Sequence, residues 1–101
     1  MEDLLELAFA DPAAAEREAK RILERQTADP LRSSYARQCL GIVLRERGQL
    51  REAIRHLQAG LREVRSAQFD ERARDLRATL GVTLAMAGRT RSDRAPRGGG
   101  L

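Results

Sequence analysis

Two side chains in this sequence have the chemistry for nucleophilic attack or proton transfer near neutral pH: Cys39 and His56, each the only residue of its type. A cysteine nucleophile needs a depressed pKa and a base beside it. A histidine base needs a partner that positions it. Cys39 falls on the apolar stripe of a helical stretch, where cysteine behaves as a small hydrophobe. His56 adjoins Leu57 on a second stripe, at a partly exposed flank, and no pattern supplies it with a partner. One cysteine and one histidine also fall short of a zinc ligand set. The carboxylates, such as Glu16 and Glu18 or Glu46 and Glu52, are flanked by arginines and read as solvated helix faces. Gly98, Gly99 and Gly100 lead only to Leu101, without the helix start that a phosphate-cradling loop requires. The expectation is a protein without catalytic residues, metal or cofactor, in which Cys39 and His56 are structural.

The elements that carry these residues are helices. The chain has 101 residues, the length of one domain. Ala contributes 16 residues and Leu 14, against two Phe, one Tyr and no Trp, which favours closely approaching helix backbones. The net charge of +4 suggests nucleic acid until it is localised: Arg89, Arg91, Arg94 and Arg97 against Asp93 give +3, leaving +1 elsewhere. Of the 19 basic residues 18 are Arg, a skew in keeping with GC-rich coding rather than phosphate recognition. The acidic start Met1-Glu2-Asp3 opposes a secretory signal, and no apolar run approaches the roughly 20 residues of a bilayer span. With its lone cysteine, this composition points to a soluble, cytoplasmic protein.

Helix starts and stops can be placed along the chain. Asp11-Pro12 and Asp29-Pro30 each pair an N-cap acceptor with a proline at the first helical position. Leu4, Leu5, Ala8 and Phe9 predict a short first helix, and Ala15, Ala19, Ile22 and Leu23 a second. Ala36, Cys39, Leu40, Val43 and Leu44 form one face of a third, ended by Gly48. Leu50, Ala53, Ile54, Leu57, Leu61 and Val64 mark a fourth, so close behind that the two must be antiparallel neighbours. A fifth starts near Asp70, carries Ala73, Leu76, Leu80, Leu84 and Ala87, and is expected to close at Gly88.

An internal repeat organises these helices. Leu40-Gly41-Ile42-Val43-Leu44 aligns with Leu80-Gly81-Val82-Thr83-Leu84, and Gly48 with Gly88, each 40 residues on. Gly41 and Gly81 lie mid-helix, where glycine costs about 1 kcal/mol relative to alanine. That predicts close helix–helix packing at both positions.

Leu40-Gly41, Leu44, Gly48, Ala53 and Leu57 together resemble the tetratricopeptide repeat, a helical hairpin with Leu-Gly on helix A and Ala on helix B. Residues 31–66 match best, residues 2–25 read as a degenerate first repeat, and residues 70–88 as helix A of an incomplete one. The departures are a period of 40 against about 34, Arg37 at a position usually aromatic, and no proline closing helix B. Long periods of this kind are similar to bacterial arrays such as those preceding CHAT-type domains. The resemblance implies an all-α fold of antiparallel hairpins, about 2.5 repeats of a right-handed solenoid over residues 1–88.

It also implies a function: a scaffold that binds a peptide or partner helix through the concave helix A surface. By register, the protein-binding candidates are Tyr35, Gln38, Ile42, Arg45, Asp75, Val82 and Met86, with Tyr35 an amphipathic anchor and Arg45 a charged contact. In the alternative, Tyr35 caps the preceding helix pair and Ile42 belongs to the core. The Lys and Asn pattern with which some chaperone-binding members clamp a peptide carboxylate is missing. Residues 89–101, with Pro96 and the glycine run, predict a disordered basic tail. The change of character mid-repeat fits a truncated part of a larger regulatory or signalling protein, or a short protein with a flexible end. Two other readings stay open: a nucleic-acid-associated accessory protein using the tail, which lacks interleaved aromatics, and a nonfunctional fragment. The last helix, without its hairpin partner, is a candidate for self-association or for docking another chain.

Overall fold

The computed structural model describes residues 2–25 and 29–94, and all its regular structure is helical: α1 (Glu2–Ala10), α2 (Pro12–Glu24), α3 (Pro30–Glu46), α4 (Leu50–Ser66) and α5 (Asp70–Arg94). Both Asp-Pro starts form as the sequence predicts. Asp11 Oδ1 accepts from the Ala14 N–H at 3.2 Å and Asp29 Oδ1 from the Leu31 N–H at 3.0 Å, with Pro12 and Pro30 in the first turn. The turn between α3 and α4 also forms as expected. Gly48 adopts φ +83, its N–H bonds the Arg45 carbonyl at 2.9 Å, and the Gln49 N–H bonds the Leu44 carbonyl at 2.9 Å. These paired bonds are a Schellman closure, which satisfies the orphan carbonyls of the last turn. The turn into α5 repeats the closure with Gln68 at φ 62: its N–H bonds the Arg65 carbonyl and the Phe69 N–H that of Val64.

Packing follows from the short connections and the small residues. Ser33 on Glu63, Arg37 beside Gly60 and Gly41 beside Leu57 run in opposite directions along the two chains, so α3 and α4 are antiparallel. Ser34 on Arg72 and Gln38 on Asp75 and Thr79 run in the same direction, so α3 and α5 are parallel. The helix α3 touches all four others, and residues Gln38 to Leu44 are buried without a break. The sequence predicted one buried face for it. A helix flanked on both sides has no solvent face to spare.

One core gathers Leu4 and Ala8 of α1, Ala15, Ala19 and Ile22 of α2, Ala36, Cys39, Leu40, Ile42, Val43 and Leu44 of α3, and Ala53. A second joins Leu57 and Val64 to Ala73 and Leu76. Ala15, Ala19, Ala36 and Ala53 have no exposed surface, which accounts for the alanine excess as contact points between backbones.

Two expectations need correction. Gly88 does not close the last helix: α5 runs on to Arg94, so residues 89–94 of the expected disordered tail are helical, while residues 95–101 lie outside the described ones. The second concerns the paired glycines. A Cβ on Gly41 would lie 2.5 Å from Leu57 Cγ, the close approach predicted, but a Cβ on Gly81 would meet nothing within 4 Å.

Candidate functional site

Three of the candidates for protein binding, Tyr35, Gln38 and Asp75, cluster where α3 and α5 run side by side, and a residue outside the predicted set joins them. Arg72 projects from the first turn of α5 onto α3, where its guanidinium stacks 3.7 Å from the Tyr35 ring centroid. Its Nε donates to Ser34 Oγ at 3.2 Å, Nη1 to Asp75 Oδ2 at 3.0 Å and Nη2 to Gln38 Oε1 at 2.6 Å. Gln38 Nε2 in turn donates to Asp75 Oδ2 at 3.2 Å and Thr79 Oγ1 at 3.0 Å. Ser34 Oγ donates to the Leu31 carbonyl at 2.8 Å. A buried guanidinium is tolerated only when partnered in this way, and the network locks the register of α3 against α5.

The predicted set therefore divides. Tyr35 is half-buried beneath Arg72 at the edge of the network, and Asp75 turns its carboxylate partly to solvent. Gln38 and Ile42 are 2% and 4% exposed, so neither lines an open surface: Gln38 is a bonded interior group and Ile42 a core residue. Their burial follows from the central position of α3, which has neighbours where a terminal hairpin would face water. Arg45 is largely buried and donates to Glu46 Oε2 at 3.1 Å. Val82 is 52% exposed on α5, and Met86 is half-buried further along the same helix. Tyr35, Gln38 and Asp75 come together; Arg45, Val82 and Met86 do not join them.

An open cleft lies at the start of α5, lined by Leu31, Tyr35, Phe69, Asp70, Glu71 and Arg72. Leu31 and Phe69 keep over a third of their surface exposed there. Sequence reasoning missed Arg72, Leu31 and Phe69. Nothing marks Arg72 among 18 arginines, and Leu31 and Phe69 fall off the helical stripes.

The two chemically capable side chains lie apart. Cys39 is buried against α2, its Sγ donating to the Ala15 carbonyl at 3.6 Å, and burial pushes its thiol up to about 11. His56 sits on α4, where its Nδ1 accepts from Arg37 Nη1 at 3.2 Å, which leaves its proton on Nε2. Burial first, and the Arg37 charge second, hold His56 below its ordinary value of 6.5. Among the described residues no cluster of three or more His, Cys, Asp or Glu could hold a metal ion, and no helix is long and apolar enough to cross a membrane. Comparison of the chain with protein families, with curated proteins and with solved structures finds no match.

Proposed function

We propose that the chain is a protein-interaction module of tetratricopeptide type, with no catalytic role, that binds an extended peptide or a partner helix across α3 and α5. The parallel arrangement of these two helices supports this reading, since successive A helices of such an array run parallel. So does the fit of Leu57 over Gly41, the small-residue contact that an A–B hairpin requires. The observation that carries it is the cleft between them: a rigid aromatic face at Tyr35, apolar walls at Leu31 and Phe69, and an acidic rim at Asp70 and Glu71. Tyr35 is held by Arg72, so little side-chain freedom is lost when a ligand arrives. Such a cleft suits an apolar anchor followed by a basic residue. In this reading the protein acts in the cytoplasm as a scaffold, alone or as part of a longer bacterial repeat array.

The test is selection of binding peptides from a random display library against the whole chain, followed by Tyr35→Ala and Phe69→Ala. The reading requires selected peptides enriched in an apolar anchor next to Arg or Lys. Each substitution should weaken binding by about tenfold, the loss of one hot-spot contact. Peptides whose affinity ignores both substitutions would place the ligand elsewhere and refute the cleft.

A further inference from the structure

The internal repeat allows α3 and α5 to be superposed residue by residue, and the comparison shows what one has and the other lacks. On α3, Gly41 receives Leu57, Leu44 is 8% exposed, and Arg37 packs against Gly60 with Nη1 on His56. The contacts at Gly41 and Arg37 come from α4. On α5 the equivalent positions are open: nothing lies within 4 Å of a Cβ at Gly81, Leu84 is 47% exposed, and Arg77 is exposed. The equivalent of the first α4 residue, Leu50, is Thr90, where α5 is still helical. Residues 89–94 therefore do not fold back over this face as α4 folds back over α3.

We propose that this outer face of α5 is a docking seat for an acidic amphipathic helix of another protein, laid antiparallel as α4 lies on α3. The hairpin of α3 and α4 defines the shape of the occupant: a leucine-sized side chain enters over Gly81 and apolar residues cover Leu80 and Leu84. Its charge follows from the rim. Arg74 and Arg77 are exposed on the same stripe as Gly81 and Leu84, with the single carboxylate of Asp70 at its N-terminal end. Neither arginine forms an ion pair among the described residues, so the stripe carries a net positive charge. Carboxylates flanking the apolar stripe of the incoming helix would meet them, which favours an acidic partner over a basic one. This seat is on the opposite side of α5 from Arg72 and the cleft, and does not depend on ligand binding there.

Two labelled peptides test the proposal by fluorescence anisotropy with the whole chain. One is the unmodified 17-residue α4 sequence; the other carries Arg51→Glu, Arg55→Glu, Arg62→Glu and Arg65→Glu. The acidic peptide should bind at least about tenfold more tightly, with the preference shrinking as salt rises. Gly81→Gln should weaken it by about tenfold or more while leaving the helical signal intact, because that position has free space. Arg74→Glu with Arg77→Glu should reverse the preference towards the unmodified peptide. Equal affinity for the two peptides, no binding of either, or indifference to Gly81→Gln would overturn the proposal. So would a dimer in sedimentation that Gly81→Gln dissolves, since the seat would then belong to a second copy of this chain.

Discussion

Alanine at Gly41 and alanine at Gly81 are the same substitution in the same repeat register, and they should act in opposite directions. Glycine inside a helix is worse than alanine by about 1 kcal/mol, and both substitutions recover that. At Gly81 nothing opposes the gain, because the added methyl meets no atom within 4 Å. The variant should be more stable by about 0.5–1 kcal/mol. At Gly41 the methyl would stand 2.5 Å from Cγ and 2.6 Å from Cδ2 of Leu57. Leu57 has no exposed surface and belongs to the second core cluster, so it has no room to swing aside. Overpacking of this kind costs about 1–3 kcal/mol. The helix-propensity gain is common to both variants and cancels in the comparison, so the gap between them measures the clash alone, about 1–3 kcal/mol. Denaturant unfolding followed by far-ultraviolet circular dichroism reads it directly. In thermal melts each kcal/mol corresponds to about 4–8 °C for a domain of this size. Leu57→Ala should cost less in the Gly41→Ala background than in the parent chain, a coupling that Gly81→Ala lacks. If both alanine variants gain stability equally, α4 is not packed on α3 at Gly41 and the hairpin described above is wrong.

Three further outcomes follow from named contacts. Gln68 holds φ 62 without being glycine, so Gln68→Gly should stabilise the turn by about 1 kcal/mol in the same unfolding assay; an unchanged midpoint would show that the residue is not left-handed. Gln38→Leu leaves an Arg72 N–H and the Thr79 hydroxyl without their interior partner and should cost about 1–3 kcal/mol, whereas Gln58→Leu on the exposed face of α4 should cost little. His56 has a folded pKa below 6.5, so the unfolded chain binds its proton first. Its contribution is therefore complete above that value and is lost as pH falls from there through the folded pKa. His56→Gln should flatten that part of a melting profile taken between about pH 8 and pH 5, and an NMR titration of the ring placing its pKa above 6.5 would contradict the packing against Arg37.

Local chemistry was legible in the sequence; burial set by tertiary neighbours was not. The Asp-Pro starts, the Gly48 turn and the five helical stripes each depend on residues within a turn or two of one another, and all formed. Gln38 and Ile42 were assigned to a groove by register, yet what surrounds them is decided by helices on both sides of α3, and periodicity within α3 carries no such information. Arg72 has the same limit. Its role depends on Ser34, Tyr35 and Gln38, more than thirty residues earlier in the chain, and its own neighbours Asp70, Glu71 and Asp75 suggest an ordinary exposed pair. Gly60 falls outside the repeated Leu-Gly pattern, so nothing local marks it, although a Cβ there would come 3.1 Å from that of Arg37.

The fate of Gly88 shows what the glycines themselves decide. Gly48 and Gly88 follow the same Leu-Gly-x-x-Leu segment at the same distance, and only Gly48 takes up the left-handed conformation. Both residues can adopt it, so the permission is equal. The difference lies downstream. After Gly48 the chain offers Leu50, Ala53 and Leu57, and turning back buries them against α3: Ala53 and Leu57 lose all their exposed surface. Burying a leucine contributes about 1.5–3 kcal/mol, more than the roughly 1 kcal/mol difference between a helical and a non-helical glycine. After Gly88 the next residues are Arg89, Thr90 and Arg91, and turning back would bury nothing. Continuing the helix keeps its backbone hydrogen bonds at the cost of one interior glycine, and α5 continues. The glycine permits the turn and the apolar stripe beyond it selects the turn. Grafting Gln49–Ser66 in place of the residues after Gly88 should therefore end α5 at Gly88 and cover Gly81. Amide-exchange protection that still ran unbroken across Gly88 in the grafted chain would show that the stop is written in α5 itself.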